Sequence, residues 1–419
     1  MEAIQRNWAG NYTFSAAKLH TPETIEQVQE IIVRSRKLKT LGTRHSFNDI
    51  ADSVEDLISL EHLNRVLAID PIRHTVTVEG GIKYGHLGPY LHSAGYTLHN
   101  LASLPHITIA GACSTATHGS GDGNANLATA VSAIEFVTAN GEIVSLARDQ
   151  HREFMGAVVG LGGLGVITKL TLDLQPTFDI QQYVYENLPL AQLEQHFDAI
   201  VSSAYSVSLF TDWQNDYVNQ VWIKRRISES SILDLEPTFF GATLAPAKLH
   251  PISTTSAESC TAQMGSVGPA HEQLPHFRME DTPSVGAELQ SEYFVPRQHA
   301  VAAIQALAQL GPQLAECLMI SEIRTIAADS LWMSPCYQQD CVGLHFTWKL
   351  DWPAVQKLLP LIEAQLAPFN ARPHWGKLFT MPAARLQSLY TKLPDFQQLL
   401  LSYDPHSTFR NAFLERNVF

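Results

Sequence analysis

Three features of the sequence predict an α+β fold. Strand-like alternation and helical periodicity interleave without a regular repeat. Glycine-bearing loops punctuate the first 175 residues. In the second half, two strand patterns are each followed or preceded by a strong helix pattern, as in a sheet with helices on one face. The length of 419 residues asks for two or three domains, and 45% hydrophobic against 16% charged residues suits a large buried interior.

Taken in order, Thr21-Pro22 reads as a helix N-cap and first turn, ahead of Ile25, Val28, Ile31 and Ile32 at helical spacing. Arg34, Arg36 and Lys37 suit the negative end of that helix. HTVTVEGG at 74–81 alternates like a half-buried strand and stops at paired glycines, and 84–94 is helix-like, closed by Gly95. SAIEFV at 132–137 and EIVSL at 142–146 flank Ala139-Asn140-Gly141 as a hairpin, and VITKLTLDL at 166–174 is a further strand ending at Pro176. Beyond it, 205–210, 218–224, 318–326 and 343–350 read as strands, and 301–310 and 354–366 as helices. Residues 236–283, rich in Pro, Ser, Thr and Gly, read as irregular loop.

The charge balance excludes several roles. A net charge of −13 repels phosphate backbones, so nucleic-acid binding and polybasic membrane docking are disfavoured, and no protein partner is signalled. Five cysteines without a CxxC pair indicate neither a disulfide framework nor a structural zinc, and no metal triad is visible. The N-terminus lacks the apolar core of a signal peptide, and no run approaches the roughly 18 apolar residues of a membrane span. The expectation is a cytoplasmic protein.

Four segments embed polar groups among glycines or apolar residues. LGTRHSFND at 41–49 places His45 in a turn with free backbone amides beside a cation; on these residues alone a surface loop histidine fits as well. The stretch 100–123 offers many small residues and hydroxyls, with His106 and His118, as a nest for a pyrophosphate; its apolar Leu104, Ile107 and Ile109 argue against a flexible linker. Gly160, Gly162 and Gly165 spell GxGxxG, but a strand pattern follows instead of a helix, which speaks against an NAD-linked dehydrogenase. In SEIRT at 321–325, Glu322 and Arg324 share a strand face, as do His345 and Thr347 in HFTWK, and RPHWGKLF follows at 372–379. Such a face is either an ordinary ion-pair surface or a site for a polyhydroxylated ligand. A non-catalytic sugar-binding protein would leave His45 and the small-residue loop without purpose.

Together, NWAGN at 7–11, GTRHSFND, NLASLPHITIAG, ATHGSG, SEIRT and RPHWGK occur in an order that resembles the covalent flavoprotein oxidases of the vanillyl-alcohol oxidase type, in their alditol (xylitol) and sugar-lactone oxidase branch. The resemblance implies a two-subdomain FAD-binding domain at 1–175, a substrate (cap) domain with a mainly antiparallel sheet at 176–372, and a C-terminal segment at 373–419 packing back on the first. It implies FAD bonded through His45 and cradled by Leu41, Gly42, Thr43, Arg44, Ser46, Phe47, Ser103, Thr108, Gly111, Ser114, Thr115, Ala116, Thr117, His118, Val166, Ile167 and His374. Cys113 lies in the cradle without the neighbours of a second, cysteinyl bond. Catalysis is implied for Glu322, Arg324 and Lys377, with Ser103 and Thr347 among the substrate contacts. The implied reaction is oxidation of the terminal primary alcohol of a polyol such as xylitol or sorbitol, by hydride transfer to flavin N5 with molecular oxygen as acceptor, giving aldose and hydrogen peroxide. Oxidation of an aldonolactone, or use of an acceptor other than oxygen, is the alternative.

Overall fold

The structure is a computed structural model and describes residues 6–227, 236–281 and 287–419. Among the described residues three substantial sheets position the site. Strands Lys18–His20, Asp56–Ile58 and Leu38–Thr40 form a small parallel sheet, with Asp56–Ile58 central. The helix Ile25–Arg34 leads into it and buries Val28 and Ile32 against Leu38, Ile58 and Val166. Its N-cap is Thr24, whose hydroxyl accepts from Gln27 N at 3.3 Å. The expected Thr21-Pro22 start lies three residues too early, because Thr24 holds the hydroxyl that reaches a free amide of the first turn.

The second sheet runs Val66–Asp70, Thr75–Glu79, Val166–Asp173, Val131–Val137, Ile143–Ala147, all antiparallel. Its inward side chains alternate, Val76, Val78, Leu170 and Leu172 facing a core. That core also takes Trp375, Leu386, Phe396, Leu400, Phe413 and Val418, so the last stretch of the chain packs against this second sheet. The strand expected after GxGxxG is Val166–Asp173, and the fingerprint opens no helix. Gly165 adopts φ +153°, and a Cβ there would stand 2.2 Å from Val137 O, so the glycine serves strand-on-strand approach.

The third sheet is antiparallel and ten-stranded, in the order Thr238–Phe239, Ala242–Leu244, Asp179–Pro189, Tyr217–Ile227, Ser206–Thr211, Leu318–Ile326, Cys341–Lys349, Glu288–Pro296, Arg372–Pro373, with Val267–Pro269 also paired to Asp179–Pro189. Helices Leu190–Val201, Ala300–Ala308 and Trp352–Leu366 cover one face, over Leu289, Tyr293, Ile323, Leu344, Phe346 and Trp348. The loop expected at 236–283 is more ordered than its composition indicates where it is described. It adds three strands of two or three residues at one end of the sheet and the short helix Ala270–Gln273, all too brief for a readable period. The end of that loop, 282–283, lies outside the described residues.

Candidate functional site

The turn after strand Leu38–Thr40 is pinned from the chain's beginning. Trp8 N donates to Arg44 O (2.8 Å), Asn7 Nδ2 to Ser46 O (2.9 Å) and Asn11 Nδ2 to Phe47 O (2.9 Å). NWAGN is thus the clamp on GTRHS. Trp8 also stacks on His45, with ring centroids 5.2 Å apart, and His45 Nδ1 lies 3.0 Å from Thr43 Oγ1. Burial, aided by His106 and Lys377, lowers the His45 pKa to about 3, so its imidazole is neutral. From the far end of the sequence, Asn48 Nδ2 reaches Trp375 O and Lys377 O, each at 2.8 Å, and Phe47 N donates to Gly376 O. Lys377 Nζ sits 4.8 Å above the Phe47 ring.

A cavity of about 920 Å³ opens between the first two sheets and the third. Leu41, Gly42, Thr43, Arg44, His45, Ser46 and Phe47 line it, as do Ser103, Thr108, Gly111, Ser114, Thr115, Thr117, His118 and Ile167. Ala116 and Val166 do not: both are buried, Ala116 in the core of the second sheet and Val166 beneath the helix Ile25–Arg34. Cβ atoms on Gly42 or Gly111 would each stand 2.8 Å from Thr108 Oγ1, so these glycines keep the wall thin. A long cavity walled by small residues, hydroxyls and amides fits FAD. Arg6, Lys39 and Lys83 also line it on this side. Lys39 is held by Leu161 O (3.1 Å) and Gly162 O (2.8 Å), and burial brings its pKa down to about 7.

The opposite wall is the uncovered face of the large sheet. Strand alternation sends Glu288, Gln290 and Glu292 to this face, with Ile320, Glu322 and Arg324 and with Gly343, His345 and Thr347. Register does the rest. Glu322, His345 and Glu292 stand side by side on three adjacent strands, and Ile320, Thr347 and Gln290 form the next row. Arg324 ties the two walls together: NH1 lies 3.3 Å from Ser103 Oγ, NH2 donates to Glu292 Oε1 at 3.0 Å, and Nε stands 3.5 Å from Glu322 Oε1. Glu292 also accepts from His118 Nε2 at 3.1 Å. Gly343 sits against this knot, where a Cβ would be in ordinary contact with Glu292 Oε1 at 3.4 Å and His118 Cε1 at 3.5 Å. Lys377 Nζ donates to Gln290 Oε1.

Burial opposes ionisation of Glu292, Glu322, Arg324, His345, His374 and Lys377, and the mutual ion contacts decide which stay charged. Burial would raise the carboxyls, but His118, His345 and Arg324 hold Glu292 well below its ordinary value, and Arg324 and His276 do the same for Glu322. Burial lowers the Lys377 pKa to about 8 although Glu292 and Glu288 oppose it, and lowers His374 to about 3. The face at neutral pH thus presents two carboxylates, a guanidinium, a lysine near its titration point and the neutral imidazole of His374. Ser103, Glu322, Arg324, Thr347, His374 and Lys377 therefore share one cavity with the His45 turn.

The chain is 45% identical to an alditol oxidase of a Streptomyces species, with 99% of each chain covered. Residues 16–147 match the FAD binding domain family, and 177–417 match the D-arabinono-1,4-lactone oxidase family. The chain belongs to the FAD-dependent alditol and sugar-lactone oxidase family. An L-gulono-1,4-lactone dehydrogenase of Mycobacterium tuberculosis is 26% identical over 99% of each chain. A cholesterol oxidase of B. sterolicum superposes with a TM-score of 0.80 at 12% identity, over all of this chain and 97% of that one, which is a likeness of fold.

As a member of this oxidase family the chain is an FAD-dependent oxidoreductase, and several residues of its site escaped the sequence reading. Glu288, Gln290 and Glu292 lie in ELQSEY, whose polar–apolar alternation over a strand is a signal available in the sequence. Trp8 was visible only as part of a motif. His276 sits in the irregular segment, where no pattern marks it. Thr347, expected to bind substrate, also lies 3.3 Å from His345 Nε2.

Proposed function

We propose that the protein oxidises the terminal primary alcohol of an alditol, of the xylitol or sorbitol kind, to the aldose with reduction of molecular oxygen to hydrogen peroxide. The observation carrying this reading is the row of carboxylate, guanidinium, hydroxyl and amine groups facing the His45 turn across one cavity. Full-length similarity to an alditol oxidase supports it. When bound, FAD supplies the two-electron acceptor. The residues supply the electrostatics. An alcohol is about as weak an acid as water, pKa about 15.7, and one cation at roughly 4 Å in an effective dielectric of about 20 contributes about 4 kcal/mol, or about 3 pKa units. Arg324 and Lys377 together bring the hydroxyl to about 10, so its proton leaves as the carbon–hydrogen bond breaks. Glu322 takes that proton or accepts a hydrogen bond from a neighbouring hydroxyl, and Ser103 and Thr347 hold distal ones.

His45, neutral and in the cavity, is the attachment point for the flavin, and Cys113 makes no second bond. Its thiol is fully buried with its pKa pushed up to about 12 by burial. The chain divides at 1–175, 176–372 and 373–419, and works in the cytoplasm. Five free cysteines accord with a reducing compartment, and no described helix is long and apolar enough to cross a membrane.

Oxygen consumption with xylitol against L-gulono-1,4-lactone tests the substrate class; faster turnover of the lactone would favour the lactone-oxidase reading that the match over 177–417 suggests. The attachment is tested by His45→Ala: acid precipitation is expected to leave all yellow colour in the supernatant, whereas the parent keeps it in the pellet.

A further inference from the structure

Strand Tyr217–Ile227 carries a buried amine that belongs to no ion pair among the described residues. Lys224 is 1% exposed, and its Nζ donates to Leu274 O at 2.6 Å and Pro275 O at 2.9 Å. Its third partner is His276 Nδ1, at 3.2 Å. Burial lowers the Lys224 pKa to about 7; as an ammonium its Nζ has donors only, and on the far side of the ring the Glu322 carboxylate can only accept, so in the neutral ring Nδ1 is the acceptor and the proton sits on Nε2. Nε2 stands 2.8 Å from Glu322 Oε1. The chain Lys224 to His276 to Glu322 has a single direction of donation, and it ends on a carboxylate in the substrate cavity.

The backbone fixes the same point. His276 N and Phe277 N donate to Ser103 O at 3.1 and 3.3 Å, and Thr261 N donates to His276 O at 2.9 Å. His276 thus joins two of the expected substrate contacts, Ser103 through its amide and Glu322 through its ring. Phe210, Trp222 and Phe277 turn ring edges to it at 5.6, 5.2 and 6.5 Å, which keeps water from substituting for either partner. The charged and titratable groups facing the chain are Arg324 and His345 beside Glu322, and Cys260 beside Lys224. Burial and Lys224 hold His276 neutral, its pKa lowered to about 4.

We propose that Lys224 and His276 are positioning residues that fix Glu322 as a hydrogen-bond acceptor for a substrate hydroxyl, and that this pair sets the preference for a polyol over an alcohol lacking internal hydroxyls. The inference rests on the alditol reading for its substrate and on geometry alone for its tautomer. A glutamate free to rotate or to take up a proton would bind such a hydroxyl less well. One held by a neutral Nε2–H donor remains an acceptor through the pH range of catalysis.

Two measurements on the flavin-loaded enzyme decide it. In ¹⁵N-histidine spectra, with His276→Gln for assignment, His276 is expected as a neutral Nε2–H tautomer that disappears in Lys224→Met. An imidazolium, or an Nδ1–H tautomer, overturns the proposal whatever the substrate proves to be. In turnover, Lys224→Met and His276→Ala are expected to lower the ratio of kcat/KM for xylitol to that for 1,4-butanediol about tenfold, the scale of one lost charge-assisted hydrogen bond. His276→Gln, whose amide can still donate, is expected to restore most of it. A parallel fall for both alcohols is the signature of a merely structural role and overturns the assignment. A parent that oxidises neither alcohol refutes the alditol reading, while the tautomer measurement still decides the pair.

Discussion

At the scale of single residues, Lys377 has the most to decide, because it is a cation near neutrality yet its pKa is lowered to about 8 by burial. If its charge stabilises the developing alkoxide, removing it forfeits about 4 kcal/mol, or about three decades of rate. Lys377→Met is therefore expected to slow flavin reduction by about a thousandfold in stopped flow while changing xylitol affinity only a few-fold. The pH dependence follows with a definite sign: the amine is charged below about 8 and neutral above, so kcat falls on the alkaline side. Lys377→Arg, permanently charged, is expected to move that limb to higher pH; a rate that rises above pH 8 in the parent would make Lys377 a base instead. On strand spacing alone SEIRT and HFTWK leave an ordinary ion-pair surface open; the charged and hydroxyl groups of SEIRT and RPHWGK are marked as a site by the family resemblance. Glu292 and His276 were harder to see, since their importance lies in partners more than 30 residues away, His118 and Arg324 for one and Lys224 and Glu322 for the other.

At the scale of elements, alternation set the strands that matter, and register assembled them into a site. The strand Thr75–Glu79 ends at Gly80 and Gly81 because the chain there runs against backbone: a Cβ on Gly81 would lie 1.8 Å from Leu60 O, and one on Gly80 would lie 2.2 Å from Ile167 O. Both neighbours are main-chain atoms and cannot rotate away. Gly81→Ala is expected to cost about 3 kcal/mol by urea denaturation and to lower flavin occupancy, since Gly81 also lines the cavity. Full stability in that variant would show that the loop can shift. The hairpin at 131–147 and the helix Tyr84–Ser93 were readable from their turn residues and periods. The strand Asp179–Pro189 was not: from Ile180 to Tyr185 both its faces are buried, so alternation vanishes and periodicity has nothing to detect. The same holds for edge strands of two residues, whose existence depends on a neighbour's free hydrogen-bonding groups.

At the scale of the whole molecule, the site lies where the C-terminal stretch, the first two sheets and the large sheet converge, and buried ionisable groups gather there. That arrangement makes stability depend on pH in a direction that can be worked out. His374 and His276 have folded pKa values lowered to about 3 and about 4, below the unfolded 6.5. Between those limits the unfolded chain binds protons that the folded one refuses, so stability falls as pH drops from 6.5, by up to about 1.4 kcal/mol per pH unit for each histidine. Asp329 acts oppositely. Burial raises its pKa to about 6 despite bonds from Asn126 and Ser334, so between about 4 and 6 the folded state holds the extra proton. The net acid lability is the difference between these opposed groups. His374→Gln is expected to flatten the decline of the urea midpoint between pH 6.5 and 4.5, and Asp329→Asn to steepen it. Variants that shift the midpoint equally at every pH would mean that neither group carries its burial into the unfolding equilibrium.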